Sequence, residues 1–303
     1  MTTNTSFDIT RPLPQGTILL AASAGTGKTW TISAVCAKAI VTGLVHMENL
    51  LLVTFHRSAA RELRGRVYER LVNTRLLLAG SREPSDPCDE SLIRCGRAGL
   101  ARVESALDNF DRAVITTTHE FASRMLVELG VLSDHDPSSV LMTDLVPLAT
   151  EVSDDHYLAR YLDCDRPPSV REKRELSRDV AVKYGEVPIF SKEDTETPAQ
   201  DVLWALSVRE DVRRRSKSRA VHTFDDLIGD LVKALRDPYR GPLACATLAH
   251  RFGLVMVDEF QDTDPLQWEI LRRAFHGHSN LWLIGDPKQS IYAFRGADIH
   301  AYQ

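Results

Sequence analysis

A glycine-rich run at residues 22–29, ASAGTGKT, carries side chains that could bind phosphate. It lies between the apolar run ILLAA and the helical pattern WTISAVCAKAIV, a context that makes such a run informative. Its glycines allow backbone N–H groups to turn inward around phosphate oxygens, and the helix N-terminus adds partial positive charge. Lys28 would reach the β- and γ-phosphates, and the Thr29 hydroxyl would ligate Mg²⁺.

This run predicts a phosphate-binding loop whose ligands are ATP and Mg²⁺. The general pattern has glycine at its first position, where this chain has Ala22, and the alternative is an ordinary tight turn between a strand and a helix. The residues assigned to the loop are Ala22, Ser23, Ala24, Gly25, Thr26, Gly27, Lys28 and Thr29.

Two carboxylates follow another apolar run, in VMVDEFQDTD at residues 255–264. In open α/β sheets, ligands bind at the carboxyl ends of the strands, which is where this strand would deliver both acids. Asp258 would hold Mg²⁺, directly or through water, and Glu259 would orient and deprotonate the attacking water. The alternative is a strand that ends in solvated acids. Together with a phosphate-binding loop, the pair predicts hydrolysis rather than binding alone.

Apolar runs that alternate with helical patterns must position these groups. Such alternation predicts an α/β fold in which a parallel sheet is covered by helices on both faces. SREPSDPCDE at 81–90 is expected to be a loop, and TFDDLIGDLVKALRD a helix. The predicted strands are 18–22, 50–55, 113–121, 253–260 and 280–286.

The composition shifts after residue 132, where Asp, Pro, Ser and Glu become frequent and the periodicity weakens. We interpret residues 133–219 as an inserted, mainly helical subdomain. The first domain is then discontinuous and consists of residues 1–132 and 220–303. A basic run from Arg213 to Arg219 could contact duplex DNA or form a solvated helix face.

Hydrophobic residues make up 43% of the 303-residue chain and charged residues 26%, which is ordinary for a globular protein. A net charge of −5 does not by itself indicate a nucleic-acid partner, although a local groove can still be basic. No apolar run approaches the ~18 residues of a membrane span, and the first residues lack the pattern of a secretory signal. The five cysteines form no CxxC pair and indicate reduced thiols. We expect a cytoplasmic protein with no membrane partner.

Six segments occur in the order found in superfamily 1A helicases of the UvrD/Rep type, and the chain resembles that family. They are AASAGTGKT, LLVTFHRSAARELRGRV, TTTHEF, TFDDL, VDEFQDTDPLQWEIL and GDPKQSIYAFRGAD. PLPQG and ELRGRV favour the branch that contains the RecB subunits of exodeoxyribonuclease V. The resemblance implies a RecA-like P-loop NTPase domain and an ATP-dependent DNA helicase or translocase that acts in double-strand-break repair and recombination. The implied partners are single-stranded DNA, duplex DNA with ends, and subunits similar to RecC and RecD.

The same resemblance implies roles in nucleotide binding beyond the phosphate loop. Gln15 resembles a glutamine that recognises the adenine edge, with an ordinary polar loop residue as the alternative. Gln289 resembles the catalytic residue that senses the γ-phosphate, and Asp286 with Arg295 would connect the nucleotide and DNA sites.

Further positions resemble those with which the family contacts DNA. Relatives have glycine where this chain has Glu120, whose carboxylate would repel a DNA phosphate. Aromatic rings near the end of the chain would stack on bases, which suits a motor that does not read sequence; packing in a core is the alternative. The implied DNA-binding residues are Thr54, Phe55, Arg57, Thr118, His119, Tyr292, Phe294 and Arg295.

In the family, a second motor domain supplies arginines to the ATP site. The chain ends shortly after Arg295, so we expect the first half of a helicase motor, without the second motor domain or the nuclease domain. The alternative is that this chain alone binds nucleotide and single-stranded DNA with negligible ATPase or helicase activity.

Overall fold

The structure, a computed structural model, describes residues 7–23, 27–136, 139–142, 144–181 and 198–286. Its contacts divide the chain into two compact units. The first unit contains the residues up to Ser133 and those from Leu231 onward, and the second unit is Asp134–Asp230. Among the described helices, none is both long enough and apolar enough to cross a membrane.

Strands and helices alternate through much of the first unit, while helices dominate the second. The strands are β1 (Thr17–Ala21), β2 (Leu50–Thr54), β3 (Val114–Thr117), β4 (Val140–Leu141), β5 (Val221–His222), β6 (Leu254–Val257) and β7 (Asn280–Gly285). The helices are α1 (Lys28–Thr42), α2 (Arg57–Leu78), α3 (Pro87–Ile93), α4 (Gly96–Asp108), α5 (Thr118–Leu129), α6 (Val146–Tyr161), α7 (Val170–Ala181), α8 (Pro198–Ser218), α9 (Phe224–Arg236), α10 (Gly241–Arg251) and α11 (Pro265–Ala274).

A five-stranded sheet in the order β1-β7-β6-β2-β3 forms the centre of the first unit. Each neighbouring pair of strands is parallel. The registers join Ala21 to Gly285 and Thr54 to Thr117, so the residues that follow these strands emerge at one edge of the sheet. This edge is where an open α/β sheet binds its ligands.

Helices cover the sheet on both faces, as the near-continuous apolar strands predict. On one face, Leu52 and Met256 belong to a buried cluster that includes side chains of α1, α2 and α4. On the other face, Val53 and Val257 lie beside Phe121 of α5 and residues of α11. Both faces of the central strands are therefore shielded from solvent. The predicted α/β class is confirmed.

The strand predicted at 253–260 ends at Val257, and Glu259 takes a left-handed conformation. Two other predicted segments were also wrong in their boundaries. The strand predicted at 113–121 ends at Thr117, because the Thr117 hydroxyl accepts a hydrogen bond from the Glu120 backbone N–H and caps α5. The loop predicted at 81–90 contains the start of α3, because Asp86 caps that helix and Pro87 occupies its first turn. In both places a short polar side chain begins a helix where the sequence pattern favours an extended segment or a turn.

In the second unit, helices α6, α7 and α8 pack around Trp204, which is buried. The basic run of α8 faces the acids of α6: Arg215 contacts Glu151 and Asp155, and Arg219 contacts Glu151. These ion pairs neutralise much of the run's charge. They favour a helix face held by ion pairs over a surface for duplex DNA.

Candidate functional site

The described part of the phosphate loop joins β1 to α1. Gly27 precedes α1 with φ 86° and ψ 30°, a left-handed conformation in which glycine is favoured because it has no Cβ. Lys28 and Thr29 lie in the first turn of α1, and the N-terminus of a helix favours an anion. Ala22 and Ser23 follow β1, and the Ala22 N–H donates to the Gly285 carbonyl at 3.0 Å. Ala24, Gly25 and Thr26 lie outside the described residues.

The two predicted acids lie directly after β6, at the same edge of the sheet. The Asp258 N–H donates to the Val53 carbonyl at 2.9 Å, which extends the ladder by one residue. Glu259 then takes a left-handed conformation, with φ 55° and ψ 41°. A residue with a Cβ adopts this conformation at a cost on the order of 1–3 kcal/mol, and such residues cluster at functional sites.

Lys28 and Glu259 form an ion pair across 231 positions of sequence. The Lys28 Nζ donates to Glu259 Oε1 at 2.8 Å and to Oε2 at 2.7 Å. The structure therefore brings the predicted phosphate-binding lysine together with the predicted catalytic base. In this arrangement each group neutralises the other. A bound phosphate must compete with Glu259 for the ammonium group.

Asp258, which precedes Glu259, is half-buried. Burial, followed by the Glu259 charge, raises its pKa from 3.8 to about 6, although the Lys28 charge acts in the opposite direction. A buried carboxylate next to another carboxylate gains from a cation placed beside it. Carboxylate and hydroxyl oxygens are the ligands that Mg²⁺ prefers, so Asp258 and Thr29 fit the predicted Mg²⁺ site.

Gln261, which the sequence pattern did not single out, is a second hydrogen-bond donor to Glu259. Its amide nitrogen donates to Glu259 Oε2 at 2.6 Å, and its amide oxygen accepts from the Asp286 N–H at 3.0 Å. Gln261 and Asp286 are both buried. The side chain therefore links the predicted base to the residue after β7, where the segment containing Gln289 begins. The sequence offered one sign that Gln261 belongs to the site, which is its place within DEFQ, three residues after Asp258.

The predicted DNA contacts within the described residues follow β2 and β3, which are neighbours in the sheet. Thr54 ends β2 and is buried, and its hydroxyl has no hydrogen-bond partner in the described part of the chain. Phe55 is half-buried, with its ring edge-on to His56 at 4.9 Å between centroids. Thr118 and His119 begin α5 immediately after β3 and are also half-buried. The sheet thus brings the two predicted DNA motifs side by side.

An ion pair connects these two motifs. Arg57 Nε lies 2.9 Å from Glu120 Oε1, and the Thr116 hydroxyl donates to Glu120 at 2.7 Å. The hydrogen bond from Thr116, followed by the Arg57 charge, lowers the pKa of Glu120, whereas partial burial opposes the shift. Glu120 is thus ionised and neutralised by Arg57. The predicted contact between Arg57 and DNA remains a prediction, and it requires that a phosphate compete with this carboxylate.

The remaining predicted residues do not join this edge within the described structure. Gln15 is exposed and precedes the first residue of β1, so it lies at the amino end of the strand, whereas Lys28 follows the carboxyl end. A five-residue strand spans about 16 Å, and the role of Gln15 at the adenine remains a prediction. Gln289, Tyr292, Phe294 and Arg295 lie outside the described residues, and their roles also remain predictions.

Comparisons with known proteins show what the chain is similar to. The model of the UvrD/REP helicase N-terminal domain family matches residues 3–303. The RecBCD enzyme subunit RecB of Mycobacterium tuberculosis strain H37Rv is 39% identical over 308 residues, which cover 98% of this chain and 28% of that protein. RecB of Escherichia coli K12 is 28% identical over 419 residues, covering 95% of this chain and 35% of that protein. This alignment is longer than the chain, so the E. coli protein holds residues without a counterpart here.

A second group of relatives is named for helicase activity. The ATP-dependent DNA helicase UvrD1 of Mycobacterium leprae is 26% identical over 292 residues, which cover 93% of this chain and 32% of that protein. The chain thus spans about a third or less of the length of the curated relatives that it matches.

Proposed function

Because the chain belongs to the UvrD/REP helicase N-terminal domain family, we propose that it forms the ATP-binding motor domain of an ATP-dependent DNA helicase. The observation that carries the proposal is the meeting of Lys28 with Glu259 beside Asp258, at the carboxyl edge of a five-stranded parallel sheet. A RecA-like motor domain would then comprise residues 1–132 and 220–303, most of which belong to the first unit, while residues 220–230 belong to the second. Residues 133–219 would be its inserted helical subdomain.

ATP binding would rearrange the ion pair that the structure shows. The phosphates would occupy the N-terminus of α1, and the Lys28 ammonium would leave Glu259 for the β- and γ-phosphates. Glu259, once released, would accept a proton from the attacking water while Gln261 keeps its carboxylate in place. Asp258 and Thr29 would hold Mg²⁺, which supplies positive charge to the phosphates when it is bound.

DNA would bind along the ends of β2 and β3. Thr54, Phe55, Thr118 and His119 are adjacent there, which supports a single-stranded DNA contact beside the nucleotide site. The names of the RecB relatives support a finer proposal, in which the whole protein acts on DNA ends in double-strand-break repair and recombination. It would then work with RecC- and RecD-like subunits in the cytoplasm, where its five free cysteines would stay reduced.

A second candidate is a module that binds nucleotide and single-stranded DNA with negligible hydrolysis by this chain alone. The observation in its favour is that both carboxylate oxygens of Glu259 accept hydrogen bonds from Lys28. A base held in this way cannot accept a proton until nucleotide displaces the lysine.

Steady-state ATP hydrolysis with and without single-stranded DNA tests both candidates. Three variants are required: Lys28→Ala, Glu259→Gln and, as a lysine control, Lys217→Ala at an exposed position of α8. The motor proposal predicts DNA-stimulated turnover that the first two variants lose and the control retains. Mg-ATP binding that depends on Lys28, without turnover under either condition, would favour the binding module. Absence of Mg-ATP binding would contradict both.

A further inference from the structure

Three metal-ligating side chains meet in the second unit, in a region that the proposed ATPase does not use. His135, His222 and Asp230 can each offer one nitrogen or oxygen ligand atom, and these atoms lie within 4.8 Å of one another. All three residues are half-buried. They come from three segments, since His135 precedes β4, His222 ends β5 and Asp230 belongs to α9.

A small parallel sheet fixes the position of His222. Strands β4 and β5 pair with Leu141 opposite His222. The Met142 N–H donates to the His222 carbonyl at 2.8 Å, and the Val140 N–H donates to the Ala220 carbonyl at 2.7 Å. Hydrogen bonds from the segment that follows His135 therefore fix the backbone at His222 and two residues before it.

The side chains already contact one another. His222 Nδ1 lies 3.2 Å from Asp230 Oδ2. The ring of His135 meets the ring of His222 edge-on, with 5.4 Å between centroids and an interplanar angle of 68°. An ion pair needs only His222 and Asp230. The His135 imidazole lies beside this pair, so one cation could be bound by all three side chains.

The ligand set identifies the class of ion. Imidazole nitrogens with one carboxylate suit Zn²⁺, Co²⁺ or Ni²⁺, whereas Mg²⁺ prefers oxygen ligands alone. Bond lengths of 2.0–2.2 Å in a tetrahedral zinc site place ligand atoms roughly 3.3 Å apart. The present ligand atoms, which lie within 4.8 Å of one another, would have to move closer on binding, and water would complete the four ligands.

We propose that His135, His222 and Asp230 bind one divalent transition-metal ion of the zinc class. The ion links the second residue of the second unit to its last residue. It therefore stabilises the unit by binding the folded chain in preference to the unfolded chain. The site is independent of ATP hydrolysis, so the failure of one proposal leaves the other intact.

Cobalt titration of the tag-free, chelator-treated chain tests the proposal, because four-coordinate Co²⁺ absorbs visible light. We expect one ion to bind per chain and Zn²⁺ to displace it. His135→Ala, His222→Ala and Asp230→Asn should each weaken binding at least roughly tenfold, a loss that even outer-shell substitutions produce. His156→Ala is the matched control. His156 lies in the same unit and also pairs with an acid, since its Nε2 lies 2.9 Å from Asp211, but it is not part of the cluster.

Circular dichroism of each variant establishes whether it has folded. If the histidine variants do not fold, Asp230→Asn still tests the proposal, because Asn has the same size as Asp. Zn²⁺ should raise the melting temperature of the wild type and of the His156 variant, but not of the three cluster variants. The proposal is overturned if the wild type binds no Co²⁺, or if binding survives all three substitutions. A thiolate charge-transfer band would assign the ion to a cysteine such as the exposed Cys164 and would also overturn it.

Discussion

Replacing Asp258 with Asn should make the nucleotide-free chain more stable while removing a proposed Mg²⁺ ligand. Asn has the same size as Asp, and its side-chain oxygen can still accept the hydrogen bond from the Glu259 N–H at 3.0 Å. The substitution therefore removes a buried charge and leaves the local geometry in place. A buried carboxylate such as that of Asp258 lowers the stability of the fold, and this cost is expected where the carboxylate serves to bind a cation.

The size of the effect follows from the pKa of Asp258, which burial raises from 3.8 to about 6. This shift corresponds to about 3 kcal/mol. Because the folded-state pKa is raised, the protonated carboxyl stabilises the fold fully below pH 3.8, and this contribution is lost as the pH rises through about 6. The variant should therefore be more stable at pH 7.5 by up to about 3 kcal/mol, and its advantage should fall by roughly half at pH 5.

Thermal unfolding from pH 4 to 8 measures this advantage, with EDTA present because Mg²⁺ would itself lower the pKa of Asp258. A gain of 3 kcal/mol corresponds to an increase of roughly 6–10 °C in melting temperature. Glu120→Gln is a control of opposite sign. The pKa of Glu120 is lowered, so its charge stabilises the fold above pH 4.5, and that stabilisation is lost as the pH falls.

Addition of Mg-ATP should reverse the order, because the wild type gains stability from the ligand and Asp258→Asn gains much less. The reasoning would be refuted by a variant that is less stable than the wild type at pH 7.5. An advantage that stays constant between pH 5 and 8 would refute it equally.

Three further outcomes follow from contacts in the structure. If the chain turns over ATP, Gln261→Ala should lower kcat with little change in KM, because it frees the proposed base without touching the phosphates; an unchanged kcat would contradict this role. Hydrogen bonds from Arg236 and Arg273 lower the pKa of Glu269 from 4.5 to about 2. Glu269→Gln should therefore lower the free energy of unfolding at pH 7, measured by urea denaturation, by up to about 3 kcal/mol, and this loss should shrink as the pH falls from 4.5 towards 2. The double substitution Arg215→Ala with Arg219→Ala should change duplex DNA affinity less than about twofold, since acids already neutralise both side chains; a larger loss in a filter-binding assay would revive the DNA interpretation.

Much of the sheet could be predicted from the sequence because its strands are buried on both faces. A strand such as β6 or β7 is then a continuous apolar run that ends where polar residues begin. The same reasoning placed Asp258 and Glu259 at the carboxyl edge, since they follow β6 directly. The run of threonines at the end of β3 was harder to interpret. Its β-branched threonines favour a strand, but the hydroxyl of Thr117 caps a helix.

The contacts that organise the candidate site could not be predicted from local patterns. The Lys28–Glu259 pair joins residues 231 positions apart, and the bridge from Gln261 to Asp286 joins two strand ends through one buried amide. Each depends on the order of strands in the sheet rather than on any spacing in the sequence. The left-handed conformation of Glu259 is likewise invisible in composition, because glutamate does not favour it.

Magnesium-dependent ATP binding, measured by calorimetry on the wild type, Lys28→Ala and Glu259→Gln, tests the central claim most directly. The ion pair predicts that Lys28→Ala loses Mg-ATP binding. It also predicts that Glu259→Gln binds at least as tightly as the wild type, because Lys28 no longer has to leave a carboxylate. Equal binding by the wild type and Lys28→Ala would contradict the claim that this edge of the sheet holds the phosphates.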